Sequence, residues 1–432
     1  MQPRFPFVHG ICFALTLAAC GDSGVTFYSD VKPIIDARCG GCHHQDGIAP
    51  FALETFDDAS IHAGVSKLAI EAGTMPPWHA SDDCNDYVGK RSLTPDQKKT
   101  LLDWIEAGSP EGDPARPGKP ITVEHTELTR VDRELPLAEP YTPTVRSDYR
   151  DDYRCFVLPW PDTQPGFITG FRAVPGEEKI VHHVIAFLAT PDQVATYNNL
   201  DAAEPGPGYP CFGATGGPAF TWLGAWAPGS LGNELPDSVG IEIMPGSAIV
   251  LQVHYNLLAV TPGSPVPADQ TKLQFRVEQQ VQKTGVIQPW ANPAWILADT
   301  MRIPANEADV MHQFSADPNL LLGGQSVTIY GAGLHMHKLG KSGRLSIKHS
   351  DGTSTCLLQV DDYDFNWQDG YVLRQSALLE RGDQLELECH WDNTAGNQPL
   401  VNGEPQLPRE VSWGEGTSDE MCLGILLMVS DS

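Results

Sequence analysis

Four groups of residues in this chain have types and spacings that chemistry could use. They are Cys39-Gly40-Gly41-Cys42-His43, the pair His182-His183 with a later His254, the triplet His335-Met336-His337, and Met421 near the end. In the first, two thiols and an adjacent imidazole have the spacing of covalent haem attachment, with the thiols forming thioethers and His43 placed to ligate iron. Zinc would need two further Cys or His ligands, and a thioredoxin-like dithiol would need a surrounding βαβ pattern; neither context is present. The later groups offer imidazoles and one thioether. Imidazole suits copper in both oxidation states and a thioether adds affinity for the reduced ion, so His182, His183 and His254 read as one copper site and His335, His337 and Met421 as a second. Taken singly, each element is more often a solvated histidine or a core methionine, and their combination is what points to metal.

The elements that must position these side chains follow from local periodicity. Leu251-Gln252-Val253-His254-Tyr255-Asn256 alternates, which predicts a strand with Gln252, His254 and Asn256 on one face. The same period of two points His335 and His337 to one side and sends Met336 into a core. On a regular strand His182 and His183 would point to opposite faces, so joint ligation predicts a twisted strand end or a bulge.

Around the Cys-x-x-Cys-His motif the pattern is helical. Ser29 can cap a helix through Val31, Ile34 and Ile35 to Arg38, ending beside Cys39. Thr94-Pro95-Asp96-Gln97 is a capping box with Pro at the first helical position, followed by Leu101, Leu102, Ile105 and a terminal Gly108. Between these helices, Gly73-Thr74-Met75-Pro76-Pro77-Trp78 puts Met75 on a Pro-stiffened loop as the expected second axial ligand, with His44, His62 and His79 as competitors. A His/Met pair would raise the reduction potential, as electron-transfer haems often require.

A chain of 432 residues exceeds one ordinary core. The spaced prolines of residues 113–144 predict an extended linker, across which the haem module could move. From 145 onward short strand-like runs alternate with Gly, Pro, Asn and Asp turns, which reads as two β-sandwiches, 145–282 and 283–432. The expected architecture is therefore multidomain, a small all-α domain over 25–112 followed by two all-β sandwiches. A net charge of −27 argues against nucleic acid or anionic headgroups as a binding surface.

Residues 1–19 carry Arg4 and then an apolar run too short to span a bilayer, which reads as an export signal. Leu17-Ala18-Ala19-Cys20 resembles a bacterial lipoprotein box. It implies an acylated Cys20 and an exported lipoprotein, periplasmic or on the cell surface; a soluble secreted product cut nearby is the alternative. In an oxidising compartment Cys84, Cys155, Cys211, Cys356, Cys389 and Cys422 should mostly pair. His125, His312, His349 and His390 read as structural.

Two resemblances extend this reading. Residues 25–112 resemble class I cytochromes c, which implies haem c held by Cys39, Cys42, His43 and Met75. Val181-His182-His183-Val184, Leu251-Gln252-Val253-His254-Tyr255, Leu334-His335-Met336-His337-Lys338-Leu339-Gly340 and Thr417-Ser418-Asp419-Glu420-Met421-Cys422 resemble the copper type II, ascorbate-dependent monooxygenases, the family of peptidylglycine α-hydroxylating monooxygenase and dopamine β-hydroxylase. The second resemblance implies two jelly-roll-like sandwiches, each with one copper, facing across a solvent-filled cleft. His182, His183 and His254 would hold the electron-transfer copper, and His335, His337 and Met421 the catalytic copper that takes O2. It also implies disulfides Cys155–Cys211 and Cys389–Cys422, and leaves Cys84 and Cys356 unassigned. The family reaction hydroxylates a substrate C–H bond with O2 and two electrons from ascorbate, and here a fused haem c could supply them, as could a periplasmic redox protein. Where the peptide-amidating member has an Arg and a Tyr that bind a substrate carboxylate, this chain has Gly333 and Ile425. That implies a small apolar or aromatic substrate rather than a glycine-extended peptide. The alternative is a copper and haem electron-transfer or copper-binding protein without hydroxylase activity.

Overall fold

The computed structural model describes residues 24–430 apart from 46–48, 79, 123, 125–127, 145–149, 212–213, 220, 228–229, 231, 258–259, 262, 319–325, 366, 402–403 and 415–417. The export signal, Cys20, His79, His125 and Thr417 lie outside the described residues. No helix among the described residues is long and apolar enough to cross a membrane.

The N-terminal module is helical: α1 (Lys32–Arg38), α2 (Phe56–Ile61), α3 (Ala63–Ala72) and α4 (Pro95–Glu106) close around Phe27, Ile34, Ile35, Leu101 and Trp104. The capping box at Thr94 and Gln97 forms with Pro95 inside the first turn, and Gly108 takes φ 84°, which glycine adopts without a Cβ penalty. Helix α1 ends at Arg38, beside Cys39, as the sequence predicts. Its start differs. A π-helical turn, Phe27–Val31, precedes it, and Ser29 bonds Asp30 instead of capping the helix.

The remainder is two sandwiches. In the first, one sheet orders β1 (Arg133–Pro136), β8 (Lys272–Glu278), β3 (Gly166–Val174) and β6 (Val239–Ile243). The facing sheet orders β2 (Asp151–Pro159), β7 (Ala248–Asn256), β4 (Val181–Ala189) and β5 (Trp222–Trp226). Their inner faces share one core that includes Phe156, Ile168, Val184, Leu251 and Phe275. In the second sandwich β9 (Lys283–Trp290), β16 (Leu423–Ser430), β11 (Val327–His335) and β14 (Gly370–Leu379) form one sheet. The other orders β10 (Val310–Ala316), β15 (Gln384–Trp391), β12 (Gly340–Lys348) and β13 (Ser354–Val360). Strand β9 also pairs with β5 at Ile287↔Trp222 and runs parallel to β6 at Lys283↔Val239, so the sandwiches are stitched together edge to edge.

The connector does not leave the helical module free. Gly118 N donates to Tyr28 O at 2.8 Å, where an added Cβ would lie 2.1 Å from Ser29 O, so this backbone approach requires glycine. Further on, Arg133–Pro136 of the predicted 113–144 linker is strand β1, and Tyr141 bridges Asp269. The module is also bolted to the second sandwich by a disulfide between Cys84 and Cys356, the two cysteines the sequence leaves unassigned. Tyr87 and Ala80 are buried in that sandwich's core. The implied Cys155–Cys211 and Cys389–Cys422 disulfides are present.

Candidate metal and haem centre

The three-histidine group is built on two paired strands. Between β4 and β7 the register slips from Val181↔Tyr255 to His183↔His254, which makes His182 the extra residue of a bulge. The bulge turns both neighbouring rings to one side, as joint ligation requires. His182 Nδ1 lies 3.3 Å from His183 Nδ1, and His254 Nδ1 lies 3.4 Å from His183 Nδ1. One donor atom from each of the three falls within 4.8 Å of the others. His254 Nε2 is taken at 3.0 Å by Asp151 Oδ1, which also accepts from Asn256 at 2.7 Å, so Nδ1 is the nitrogen left for a metal. Tyr153 stacks on the His254 ring at 4.1 Å. Burial, the leading cause for each, holds His182 down at about 4 and His183 and His254 well below the usual imidazole range; neighbouring imidazoles push the latter two further. All three are therefore neutral, ligand-ready bases near pH 7.

The second group uses the opposite nitrogens. His335 ends β11 and faces Gln368, whose Oε1 lies 2.5 Å from His335 Nδ1; His337 Nδ1 donates to Asp419 O at 3.0 Å. In both rings it is Nδ1 that takes the orienting bond, so Nε2 is the nitrogen that would ligate a metal. Met421 is buried two residues before β16, whose Leu423 pairs with His335, and the Cys389–Cys422 disulfide fixes the adjoining residue. Met336 is fully buried in the core, as predicted, and Tyr363 OH both accepts from its N–H at 3.0 Å and donates to its carbonyl at 2.7 Å. Glu420, with no exposed surface, accepts from His337 N at 2.9 Å, Leu339 N at 2.7 Å and Trp391 Nε1 at 2.8 Å. Burial pushes its carboxyl up to about 7 against those bonds.

The two groups are not separated by solvent alone, as the resemblance implies. Phe365 stacks on His182 at 5.4 Å and meets His337 edge-on at 5.9 Å, and it is 9% exposed. A single ring thus touches both sets, and the charges of His335 and His337 bear on His183 and His254.

In the helical module, Cys39 and Cys42 are unpaired thiols, and His43 Nδ1 donates to Phe51 O at 2.9 Å, which leaves Nε2 outward. Met75 follows α3 on its loop and is 41% exposed. Among its competitors, His62 stacks on Phe51 with Nδ1 on Asp58 O at 2.9 Å, and His44 bonds Gln45 O. Cys39, Cys42, His43 and Met75 line one cavity of about 1950 Å³ with His183, His335, His337 and Met421.

Among the described residues, the remaining histidines His312, His349 and His390 are structural. His312 bonds Arg302 O, His349 pairs with Asp383, and His390 bridges Asp309 and Glu388. The sequence did not flag Asp151, Tyr153, Phe365 or Gln368 as parts of the site. Glu420 stood unremarked inside the Ser418-to-Cys422 motif, and only Asp151 carried a local signal, a carboxylate opening a strand.

The comparisons agree with this geometry. Residues 142–260 match the copper type II ascorbate-dependent monooxygenase N-terminal domain and residues 294–428 match its C-terminal domain. DBH-like monooxygenase protein 1 of Homo sapiens is 25% identical over 341 residues, 74% of this chain and 52% of that protein. DBH-like monooxygenase protein 2 of Mus musculus is 27% identical over 288 residues, 63% of this chain and 42% of that one. The chain thus spans about half the length of the curated relatives it matches. With both of its domains matched in order over 142–260 and 294–428, the chain belongs to the copper type II, ascorbate-dependent monooxygenase family.

Proposed function

We propose that this protein is a copper-dependent monooxygenase that hydroxylates a C–H bond of a small apolar or aromatic substrate with O2, and that a haem c in its helical module passes it electrons. The observation that carries the reading is the shared cavity, which brings Cys39, Cys42, His43 and Met75 to the same space as His335, His337 and Met421. Bound copper would supply one-electron redox chemistry and O2 activation, and bound haem would carry single electrons from an ascorbate-like reductant or a periplasmic redox protein. The balance is one C–H, one O2, two electrons and two protons to one alcohol and one water.

The chain's own residues fit these groups. Neutral Nδ1 atoms converge in the first set, and Nε2 atoms with a thioether are left in the second. Among the described residues lining the cavity, four carry a buried N–H without a partner: Trp413 Nε1 and, in the helical module or against it, Trp78 Nε1, Trp367 Nε1 and Arg38 Nε. The last three suit the two carboxylates of a haem. The substrate class follows from the wall carried by β9, β11 and β16, which is Ile287, Gly333, Leu423, Ile425 and Leu427. Gly333 and Ile425 are direct register partners, so the place of the carboxylate anchor in the peptide-amidating relative is an uncharged patch. An apolar wall rewards burial of an apolar substrate.

We further propose export as a lipoprotein through Cys20. Three disulfides support an oxidising compartment. Metal and haem analysis with O2 uptake over a panel of small C–H substrates tests the whole reading. Two coppers, one haem and substrate-linked O2 uptake are expected. Full metal loading without substrate-linked uptake would establish the electron-transfer alternative instead.

A further inference from the structure

The loop between β13 and β14, residues 361–369, meets both donor sets and the helical module. Tyr363 holds the Met336 backbone and Phe365 touches His182 and His337. Gln368 reaches His335 Nδ1 with Oε1, and its own Nε2 donates to Phe365 O at 2.9 Å, which fixes the orientation of the amide. Trp367 and Asp369, on either side of Gln368, are both engaged by Arg91 of the helical module. The Arg91 guanidinium lies over the Trp367 ring at 4.9 Å and pairs with the Asp369 carboxylate.

Both stems of this loop are clamped by the same stretch of the helical module, residues 80–91. On the β13 side, the Cys84–Cys356 disulfide, Ser81 N to Gln359 O at 2.8 Å and the Ala80↔Val360 bridge hold the strand. On the β14 side, Val88 N donates to Val372 O at 2.9 Å, Tyr87 bridges Leu373, and Arg374 pairs with Asp86. Arg91 then closes on the tip.

We propose that the helical module is a clamp for the His335–His337–Met421 site: Arg91, by anchoring Trp367 and Asp369, holds Gln368 as the positioning residue that fixes the His335 imidazole. This rests on the copper reading of that site but not on the module carrying haem. The group that hydrogen-bonds the other ring nitrogen of a ligating histidine sets its ring orientation and tautomer, and here that group sits between the two residues held by a neighbouring module. Removing Arg91 leaves Asp369, a part-buried carboxylate, without its cation, and the loop bearing Gln368 must shift to rehydrate it. The three-histidine site takes its orienting bond from Asp151, outside this loop, and meets the loop through the Phe365 ring on His182, which bears on no ligating nitrogen.

The test uses the full-length protein and Cu(II) titration followed by EPR, with Arg91→Ala, Gln368→Leu and Gln368→Glu compared with wild type. Arg91→Ala and Gln368→Leu are expected to weaken one of the two copper equivalents about tenfold and alter its hyperfine signature, leaving the other copper unchanged. Gln368→Glu, which keeps an acceptor for His335 Nδ1–H, should recover the Cu(II) affinity that Gln368→Leu loses. Unchanged affinity and spectrum at both coppers in Arg91→Ala would overturn the proposal. So would loss of both coppers together with a lowered melting temperature, which marks general destabilisation. A wild-type protein that takes only one copper would sink the site reading itself, and is distinguished from the first two failures by the wild-type titration alone.

Discussion

The two donor sets do the same job with opposite means. His182, His183 and His254 stand on adjacent hydrogen-bonded strands and bring their Nδ1 atoms together, and His254 takes its orienting bond from a carboxylate, Asp151. His335, His337 and Met421 come from a strand end and a turn far apart in sequence, present Nε2, and are oriented by neutral acceptors, Gln368 Oε1 and Asp419 O. A carboxylate on the far nitrogen makes an imidazole a stronger donor and favours the divalent ion; neutral acceptors and a thioether favour the monovalent one. On the copper reading proposed above, the site that is easier to keep reduced would lie on the side of the cavity with the apolar wall.

The largest break in that comparison comes from removing a ligand on one side only. His337→Ala should take copper stoichiometry from two to one and abolish substrate-linked O2 uptake, with the three-histidine copper retained; metal analysis of the purified variant reads it directly. If the two sites were one cooperative unit, both coppers would leave together. Next in size is Glu420→Ala, which strips three buried donors, His337 N, Leu339 N and Trp391 Nε1, of their common acceptor. Leaving buried donors unpaired costs roughly 1–3 kcal/mol, and the upper end is expected here. Urea unfolding should show it, with Glu420→Gln recovering much of the loss because an amide oxygen still accepts.

How much of this was legible from sequence depends on how local the cause is. The requirement for a bulge at His182 followed from the period of a strand, and the burial of Met336 followed from the same period. The capping box at Thr94 was legible because both partners lie within one turn. Cys84–Cys356 was not, because 272 residues separate the partners and nothing local selects them. The same holds for Gln368 and Phe365, ordinary residues of a loop whose importance comes from what folds against them. The predicted mobile linker failed for a related reason: prolines set local stiffness, but the docking of residues 80–91 on β13 and β14 is decided by a surface encoded elsewhere.

Asp151→Asn sharpens the carboxylate side of the contrast. The amide oxygen can still accept from His254 Nε2–H, but the charge is gone, so the first copper should weaken by about tenfold and its reduction potential should rise. The second copper should not respond. An equal shift at both sites would mean the charge acts through the cavity's field and not through the His254 bond.

The smallest expected effect lies between the two sets. Phe365→Leu keeps an apolar residue of similar reach on the loop but removes the ring that stacks on His182 and meets His337. Because neither ligand nor orienting bond is lost, both coppers should bind with affinity changed less than about threefold, and stability should fall by about 1 kcal/mol for the smaller buried side chain. What should change is the fixed spacing. With the ring present, the His182 and His337 imidazoles are each packed against one rigid body, and rigid contacts in a close-packed interior admit few alternative separations. Pulsed EPR on the two-Cu(II) form should therefore give a narrow distance distribution in the native protein and a broader one in Phe365→Leu. An equally narrow distribution in the variant would show that the strand pairing of β5 with β9 alone sets the spacing, and that Phe365 merely fills the space between sites the sheet has already placed.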